Sequence, residues 1–402
     1  MRAVLAPSST GSLVARASEQ LLSCFGRSAT ATAIAPGRVE VIGNHTDYNG
    51  GLVLGASVDR FIVAVAAPRP DRAIRLVSEI PAQSVEAHLD AIEPQRVNAR
   101  WADYPLGVVR MLDPIGLRPE TGFDMAFASS LPTGAGMSSS AALELATAYA
   151  LQSLYATHLN RQDVVRACRR AENEFVGVPS GMLDQTVSAF GRAGFVIGID
   201  CLAETHEAIP LPADTRFWIF NSHRRHALVA SLYETRNREC RAALAALQRR
   251  YPHASHLAAL SEAEVRASED ELEPQLFLRA LHVASENERV RAAVEALGEG
   301  NRTRLGRLLL ASHESSRHAF ENSTDELDFL VDVLSPMDGV FGARLTGGGF
   351  GGAVLALTDN RFTKRDALHV ADAYRGRFGA ATQILRCTTT EGARSLPGQG
   401  RS

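Results

Sequence analysis

Lysine is almost missing from this chain. Among 42 basic residues, Lys364 is the only lysine, and it sits in "NRFTKRDAL" with no glycine loop before it. A phosphate-binding loop of the form G-x-x-x-x-G-K-[ST] is therefore impossible, as is a catalytic lysine following a glycine loop. Any phosphate handled here must be neutralised by backbone amides, helix N-termini, arginine or a divalent cation. Cysteine is sparse and scattered: Cys24, Cys168, Cys201, Cys240 and Cys387 form no C-x-x-C pair. That disfavours structural zinc and fits reduced thiols in the cytosol. Excess charge is lacking too. A formal net charge of −3 and a pI near 6.5 give no general field for nucleic acid or acidic membranes. No apolar run approaches the ~18–20 residues that span a bilayer, and "MRAVLAPSSTGSLVARASEQ" has no continuous apolar stretch of the kind a secretory signal needs.

What is present is ordinary globular material of some length. With 402 residues and 45% hydrophobic content, the chain can bury a large core and is expected to form two or three domains. Residues 1 to about 30 read as a helical lead-in. Up to about residue 130, alternating runs such as "FIVAVAAP" and "FDMAFASS" read as strands. "AALELATAYALQSLYA" and "RQDVVRACRRAENEFVG" have helical spacing, and "GFVIGID" reads as a strand. Beyond "AIPLPADTRFWIFNS" the texture turns to Arg/Ala/Glu/Leu-rich helix through about residue 335, followed by a glycine-rich strand region, a helix at "TKRDALHVADAYRGRF" and a strand at "ATQILRC". The proline-containing segment places a boundary near residue 205, giving units 1–205 and 206–402.

Three short stretches stand out. In "IAPGRVEVIGNHTDYNGGLVL" a polar run interrupts two apolar ones. A turn accounts for Asn49-Gly50-Gly51, but not for His45, Asp47 and the preceding Arg38. "LPTGAGMSSSAALELA" places glycines and three serines directly before a helix. Free amides of a tight loop and of a helix's first turn, together with hydroxyls, converge there on a site suited to an anion. One serine would cap the helix; Ser138, Ser139 and Ser140 together exceed that need. "ARLTGGGFGGAVLAL" carries Gly347, Gly348 and Gly349 before a strand. Its backbone must turn sharply or come close to something, and the strand that follows excludes a dinucleotide fingerprint. Between these lie Glu172, on a polar stretch of helix, and Asp184, where the loop after Pro179-Ser180-Gly181 enters a new helix.

In that order and separation, Pro36 to Asn49, Pro132 to Ala142 and Leu345 to Gly352 resemble the three motifs of the GHMP small-molecule kinases, within them the galactokinases. The galactokinase first motif reads G-R-[VI]-N-[LI]-I-G-E-H-T-D-Y-N, against "GRVEVIGNHTDYN" here. "WADYPLGVV", "SGMLDQTVS", "NSHRRHALVASLYETRNREC" and "ENSTDELDFL" extend the likeness over most of the chain. The resemblance implies a two-domain α+β fold, with a ribosomal-protein-like β/α N-terminal domain, a ferredoxin-like C-terminal domain and a cleft between them for a free sugar and Mg-ATP.

It also implies roles. Asp184 would orient or deprotonate the anomeric hydroxyl, with Arg38 beside it as the second catalytic residue. Asn44, His45, Asp47, Gly181 and Tyr233 would contact the sugar. Pro132, Gly134, Ala135, Gly136, Ser138, Ser139 and Ser140 would cradle ATP phosphates, with Gly347 and Gly348 contributing and Trp101 near the adenine. Ser140 and Glu172 would hold Mg²⁺. Two departures bear on specificity: the motif's glutamate is Asn44 and its asparagine is Glu40. The glutamate position contacts the C6 end of the sugar in galactokinases, so Asn44 is expected to loosen discrimination there, unless Glu40 restores the contact. A kinase for galactose is the leading expectation. A kinase for a related sugar (galacturonate, arabinose, N-acetylgalactosamine) and a catalytically silent sugar sensor remain open. A cytoplasmic monomer or weak homo-oligomer, binding neither nucleic acid nor membrane, completes the expectation.

Overall fold

The structure is a computed structural model that describes residues 4–5, 8–79, 82–94, 100–132, 134–225 and 229–397. Its frame is the pair of long strands Ala31–Ile42 and Leu52–Pro68, antiparallel, with Arg38 opposite Ser57. Both are buried along nearly their whole length, which is why they read as continuous apolar runs rather than clean alternation. Helix Thr10–Phe25 covers one face. Its Leu13, Ala17 and Leu21, four residues apart and so on one stripe, meet Ile34, Val63 and Val65. Helix Ser139–Leu154 covers the other, burying Ala142, Leu145 and Ala146 in the same core as Ala33, Val39 and Ala64.

The pair sits in an eight-stranded sheet ordered 394–396, 31–42, 52–68, 123–129, 73–79, 82–88, with 195–200 and 205–210 added along the first part of the long strand. A second sheet of five strands runs 4–5, 383–387, 216–225, 351–358, 340–346. Helices Asp325–Leu334 and Lys364–Phe378 pack on it through Leu327, Leu330, Val331, Val370 and Tyr374. A further helical layer, Val229–Leu247 and Pro274–Gly298, builds its own core around Leu247, Val283 and Phe320. The runs read as strands and helices from the sequence are found as such. The lead-in helix is shorter than expected: Ser9 caps it by accepting from the Ser12 amide, and Gly26 ends it at φ 66°. Before it, Val4–Leu5 pairs with Ile384–Leu385, a strand too short to carry a sequence pattern.

All five cysteines are free. Among the described residues no helix is long and apolar enough to cross a membrane.

Candidate active site

The polar run after Ile42 folds as a tight loop into a short 3₁₀ turn, Asp47–Asn49, with Gly43 at φ 109° and Gly50 at φ 70°. It is held from outside by Glu286 of helix Pro274–Gly298, whose Oε1 accepts from the amides of Gly43 (3.0 Å) and Asn44 (3.1 Å) and from Ser312 Oγ (2.6 Å). Burial alone would raise the pKa of this carboxyl, but Arg289, Arg344 and its donors outweigh burial and hold it well below the usual range. His282 of the same helix bonds the Asn44 carbonyl at 3.0 Å.

Much of the loop's polarity is thereby used within the protein. Asn44 donates to Glu40 Oε1 (3.0 Å) and to the Gly347 carbonyl (2.8 Å), and its own oxygen accepts from Asn322 Nδ2 (2.7 Å) and Ser316 Oγ (3.4 Å). An amide side chain offers two donor hydrogens and two acceptor positions, so Asn44 is saturated. His45 is in the same position: Nε2 lies 2.9 Å from the Gly348 carbonyl and Nδ1 2.8 Å from the Tyr48 hydroxyl. The carbonyl can only accept, so Nε2 carries the proton, and burial keeps the ring neutral by pushing its pKa down to about 3. Asp47 differs. Its Oδ1 accepts from the Tyr48 amide, and burial, then the charges of Glu40 and Asp184, raise its pKa to about 7.

Asp47 faces a cavity of about 460 Å³ whose wall also includes Arg38, Glu40, Glu172, Gly181, Asp184, Tyr233 and Gly347–Gly348. Gly181 is a steric requirement, since a Cβ there would overlap the Asp47 carboxylate. Tyr233 stacks on His45 with ring centroids 5.1 Å apart. At the cavity floor Arg38 Nε donates to Asp184 Oδ1 (2.7 Å), Arg38 Nη2 lies 2.5 Å from the same oxygen, and Ser138 Oγ donates to Oδ2 at 2.5 Å. Arg38 Nη1 also donates to the Gly136 carbonyl at 2.5 Å, tying the first motif to the second. Ser138 adopts φ 49°, a left-handed conformation costly for a residue with a Cβ, and it directs its hydroxyl at Asp184.

After Pro132 the second motif turns through Gly134 (φ 76°) and Gly136 (φ 62°), with a buried Ala135 between them, into the helix beginning at Ser139. Ser139 and Ser140 border a second cavity of about 220 Å³, shared with Trp101, Tyr104 and Phe127. Trp101 Nε1 is buried without a partner among the described residues. The Ser140 and Ser180 hydroxyls lie close to the Glu172 carboxylate, which sits in a single π turn, Ala171–Val176, at the end of helix Arg161–Arg170, and Ser180 Oγ donates to Asn173 Oδ1 at 2.9 Å. Such wide turns re-aim side chains and are frequent at functional sites. Gln185 Nε2 bridges Glu172 (2.8 Å) and Glu144 (2.9 Å).

No cationic side chain among the described residues pairs with Glu172. Burial and then the Asp184 charge raise its pKa. A buried carboxylate beside a second negative charge, with a hydroxyl facing it, is a hard-oxygen set that suits Mg²⁺ completed by water and phosphate oxygens. The residues present therefore fit the metal.

The galactokinase galactose-binding signature matches residues 20–68, the GHMP kinases N terminal domain residues 103–192, and the GHMP kinases C terminal model residues 293–378. A galactokinase of Roseiflexus sp. (strain RS-1) is 39% identical over 358 residues, covering 89% of this chain and 91% of that protein. The chain belongs to the galactokinase family of GHMP kinases. A galactokinase of Exiguobacterium sibiricum is 38% identical over 378 residues, 92% of this chain and 95% of the relative. The crystal structure of Lactococcus lactis galactokinase complexed with galactose superposes with a TM-score of 0.90 at 33% identity, over 95% of this chain and 100% of that one. Mevalonate kinase of Methanococcus jannaschii, at 19% identity and a TM-score of 0.65, shares the fold. The architecture is thus the two-domain, mixed α+β one of GHMP kinases, and the protein is a phosphotransferase of that family.

Within this galactokinase-family site, the expected residues divide. Arg38, Asp47, Gly181, Asp184, Glu172 and Tyr233 come together in one cavity with Asn44, His45, Gly347 and Gly348, and Ser139, Ser140 and Trp101 line another. Five of the expected residues also bond partners within the protein. Asn44 and His45, expected on sugar hydroxyls, line the cavity and have their polar atoms bonded to protein partners. Gly347 and Gly348, expected at the nucleotide, line the cavity and turn their carbonyls to those two side chains. Ser138, expected among the phosphate donors, bonds Asp184. Glu286, His282, Arg344, Glu144 and Gln185 went unnoticed. The first two had a faint signal: His282 and Glu286 are four apart in "LHVASENERV", so they share one face of a helix otherwise read as generic.

Proposed function

We propose that the protein transfers the γ-phosphoryl group of Mg-ATP to the anomeric hydroxyl of free galactose. The observation that carries this reading is the Arg38–Asp184–Ser138 constellation, placed where the cavity containing Asp47 meets the glycine-serine loop. A hexose offers mainly hydroxyls, and Asp47, with Tyr233 as a wall and Gly181 giving room, supplies a charged acceptor for them. Amides of the loop from Pro132 to Ser140 would take the β- and γ-phosphates at a helix N-terminus, in place of the missing lysine. Ser140 and Glu172 would hold Mg²⁺, which neutralises charge on the transferring group.

In the reaction the anomeric oxygen forms a bond to Pγ as the bond from Pγ to the β,γ-bridging oxygen breaks. The electron pair leaves with ADP, and the hydroxyl proton passes to the Asp184 carboxylate. Arg38, on the opposite side of Asp184 from Ser138, fixes the carboxylate so that its orientation costs nothing at the moment of transfer. In this reading residues 1–205 carry the base and the first two motifs, residues 206–402 carry the third, and the protein works in the cytoplasm as a monomer or weak homo-oligomer.

The test is a panel of free sugars with Mg-ATP, reading ADP release and the position of the phosphate. Galactose-dependent release of ADP with phosphate on C1 is expected. A well-folded protein that releases ADP with no sugar of the panel would instead be a sensor.

A further inference from the structure

The saturated amide of Asn44 leaves a question of which group reads the end of the sugar remote from the reacting hydroxyl. Glu40 lies two residues beyond Arg38 on the same strand, at the end of the regular stretch Gly37–Glu40 of its pairing to Leu52–Pro68, before the register shifts. Side chains two apart stand on the same face about 6–7 Å from each other, roughly one pyranose ring along from the Arg38–Asp184 pair. Glu40 Oε1 is pinned by Arg344 Nη1 at 2.9 Å and Asn44 Nδ2 at 3.0 Å. Oε2 has no hydrogen-bond partner among the described residues, and the side chain borders the sugar-side cavity. Arg344 is fully buried and Glu40 is 5% exposed, so this carboxylate cannot swing away to solvent.

We propose that Glu40 is the specificity-determining acceptor of the site, taking through Oε2 a hydroxyl on the far side of the ring. It therefore selects neutral hexoses that carry an exocyclic hydroxymethyl group against 6-deoxy and 6-carboxy sugars. The inference rests on the sugar-kinase reading above. It assigns Asn44 a positioning role: the amide holds Oε1 still and so aims Oε2. A carboxylate and an amide have traded positions four residues apart and bond each other here, so a charge stays at the cavity although neither residue matches the motif.

The experiment compares galactose, 6-deoxygalactose and galacturonate on the full-length wild type and on Glu40→Gln, by ADP release and by calorimetric sugar binding without nucleotide. In the wild type, kcat/KM for galactose should exceed that for 6-deoxygalactose by at least about tenfold, since a charged acceptor loses its donor. In Glu40→Gln this ratio should fall to about threefold or less, chiefly through KM, and galacturonate should gain. A loss of fold stability would lower all three sugars together and leave the ratio unmoved, so the ratio separates recognition from structure. If Glu40→Gln unfolds, the wild-type ratio decides alone: galactose and 6-deoxygalactose used equally overturn the inference. An unchanged ratio in the variant overturns it while galactose turnover keeps the kinase reading intact. No turnover of any sugar by the wild type overturns both.

Discussion

Replacing Asp184 by Asn removes one charge and almost no volume. In the native site Arg38 places Nε and Nη2 on Oδ1, and Ser138 donates to Oδ2. An asparagine oxygen can still accept from Arg38, and the serine hydroxyl can rotate to accept from the new NH₂, so the geometry survives. The cost to folding comes from the guanidinium left without its counter-ion. Removing one partner of a fully buried pair costs about 3–5 kcal/mol. Here the Asp184 side chain is 20% exposed to the cavity and Arg38 7%, so solvent screening brings this down to about 1–3 kcal/mol. The chemical cost is larger. Orienting and deprotonating the nucleophile contributes roughly 10²–10⁴-fold, or about 3–5.5 kcal/mol of barrier. Asp184→Asn should therefore melt cooperatively a few degrees below the wild type, bind nucleotide, and turn over at least a hundredfold more slowly in a coupled ADP assay. Arg38→Gln should not add its full penalty on top, because the two side chains act as one unit. Near-normal turnover by Asp184→Asn, or strict additivity with Arg38→Gln, would refute the assignment.

Other perturbations test other parts of the site. Glu172→Gln should raise the Mg²⁺ concentration for half-maximal rate by roughly tenfold or more and leave sugar affinity without nucleotide unchanged; a defect confined to sugar binding would place Glu172 elsewhere. Gly181→Ala should displace Asp47 and raise the sugar KM by about tenfold or more with little change for ATP, whereas a wild-type KM would show that the loop relaxes freely. Asp47 carries a pH signature. Between its ordinary value and about 7 the unfolded chain has lost the proton that folded Asp47 keeps. Stability should thus fall as pH rises through that window, by up to about 4 kcal/mol, and level off above it. Denaturation at pH 5 and pH 8 checks the sign, and Asp47→Asn should flatten the difference; an equally steep loss in the variant would mean another group titrates.

The elements were legible because burial writes itself into composition. Strands Ala31–Ile42 and Leu52–Pro68 are covered on both faces and read as unbroken apolar runs, and helix Ser139–Leu154, buried on nearly every side, reads as a long Ala/Leu-rich run. Co-linearity of three glycine-containing stretches made the cleft visible as well. What sequence cannot display is which hydrogen-bonding groups are already taken. Asn44 and His45 look available in "GNHTDYN", yet their partners include Gly347, Gly348 and Asn322, some three hundred residues further on. Glu286 is equally remote, and it organises the loop through two backbone amides that no side-chain pattern records.

Charge balance in the cleft links these observations. Glu40, Asp47, Asp184, Glu172 and, behind them, Glu144 crowd one region, where Arg38 and Arg344 pair with Asp184 and Glu40. Burial and mutual repulsion raise the pKa values of Asp47, Glu172 and Glu144, so the cleft holds more acid than it can ionise cheaply. A sugar suited to such a cleft is neutral and rich in hydroxyl donors, because each carboxylate gains a hydrogen bond without gaining a like charge. A nucleotide, by contrast, brings several negative charges toward Glu172 and Asp184 and would be repelled on its own. A divalent cation held by Glu172 and Ser140 would reverse that sign. Metal and nucleotide binding should therefore be strongly coupled, while sugar binding needs neither, and that asymmetry follows from the placement of the acids themselves.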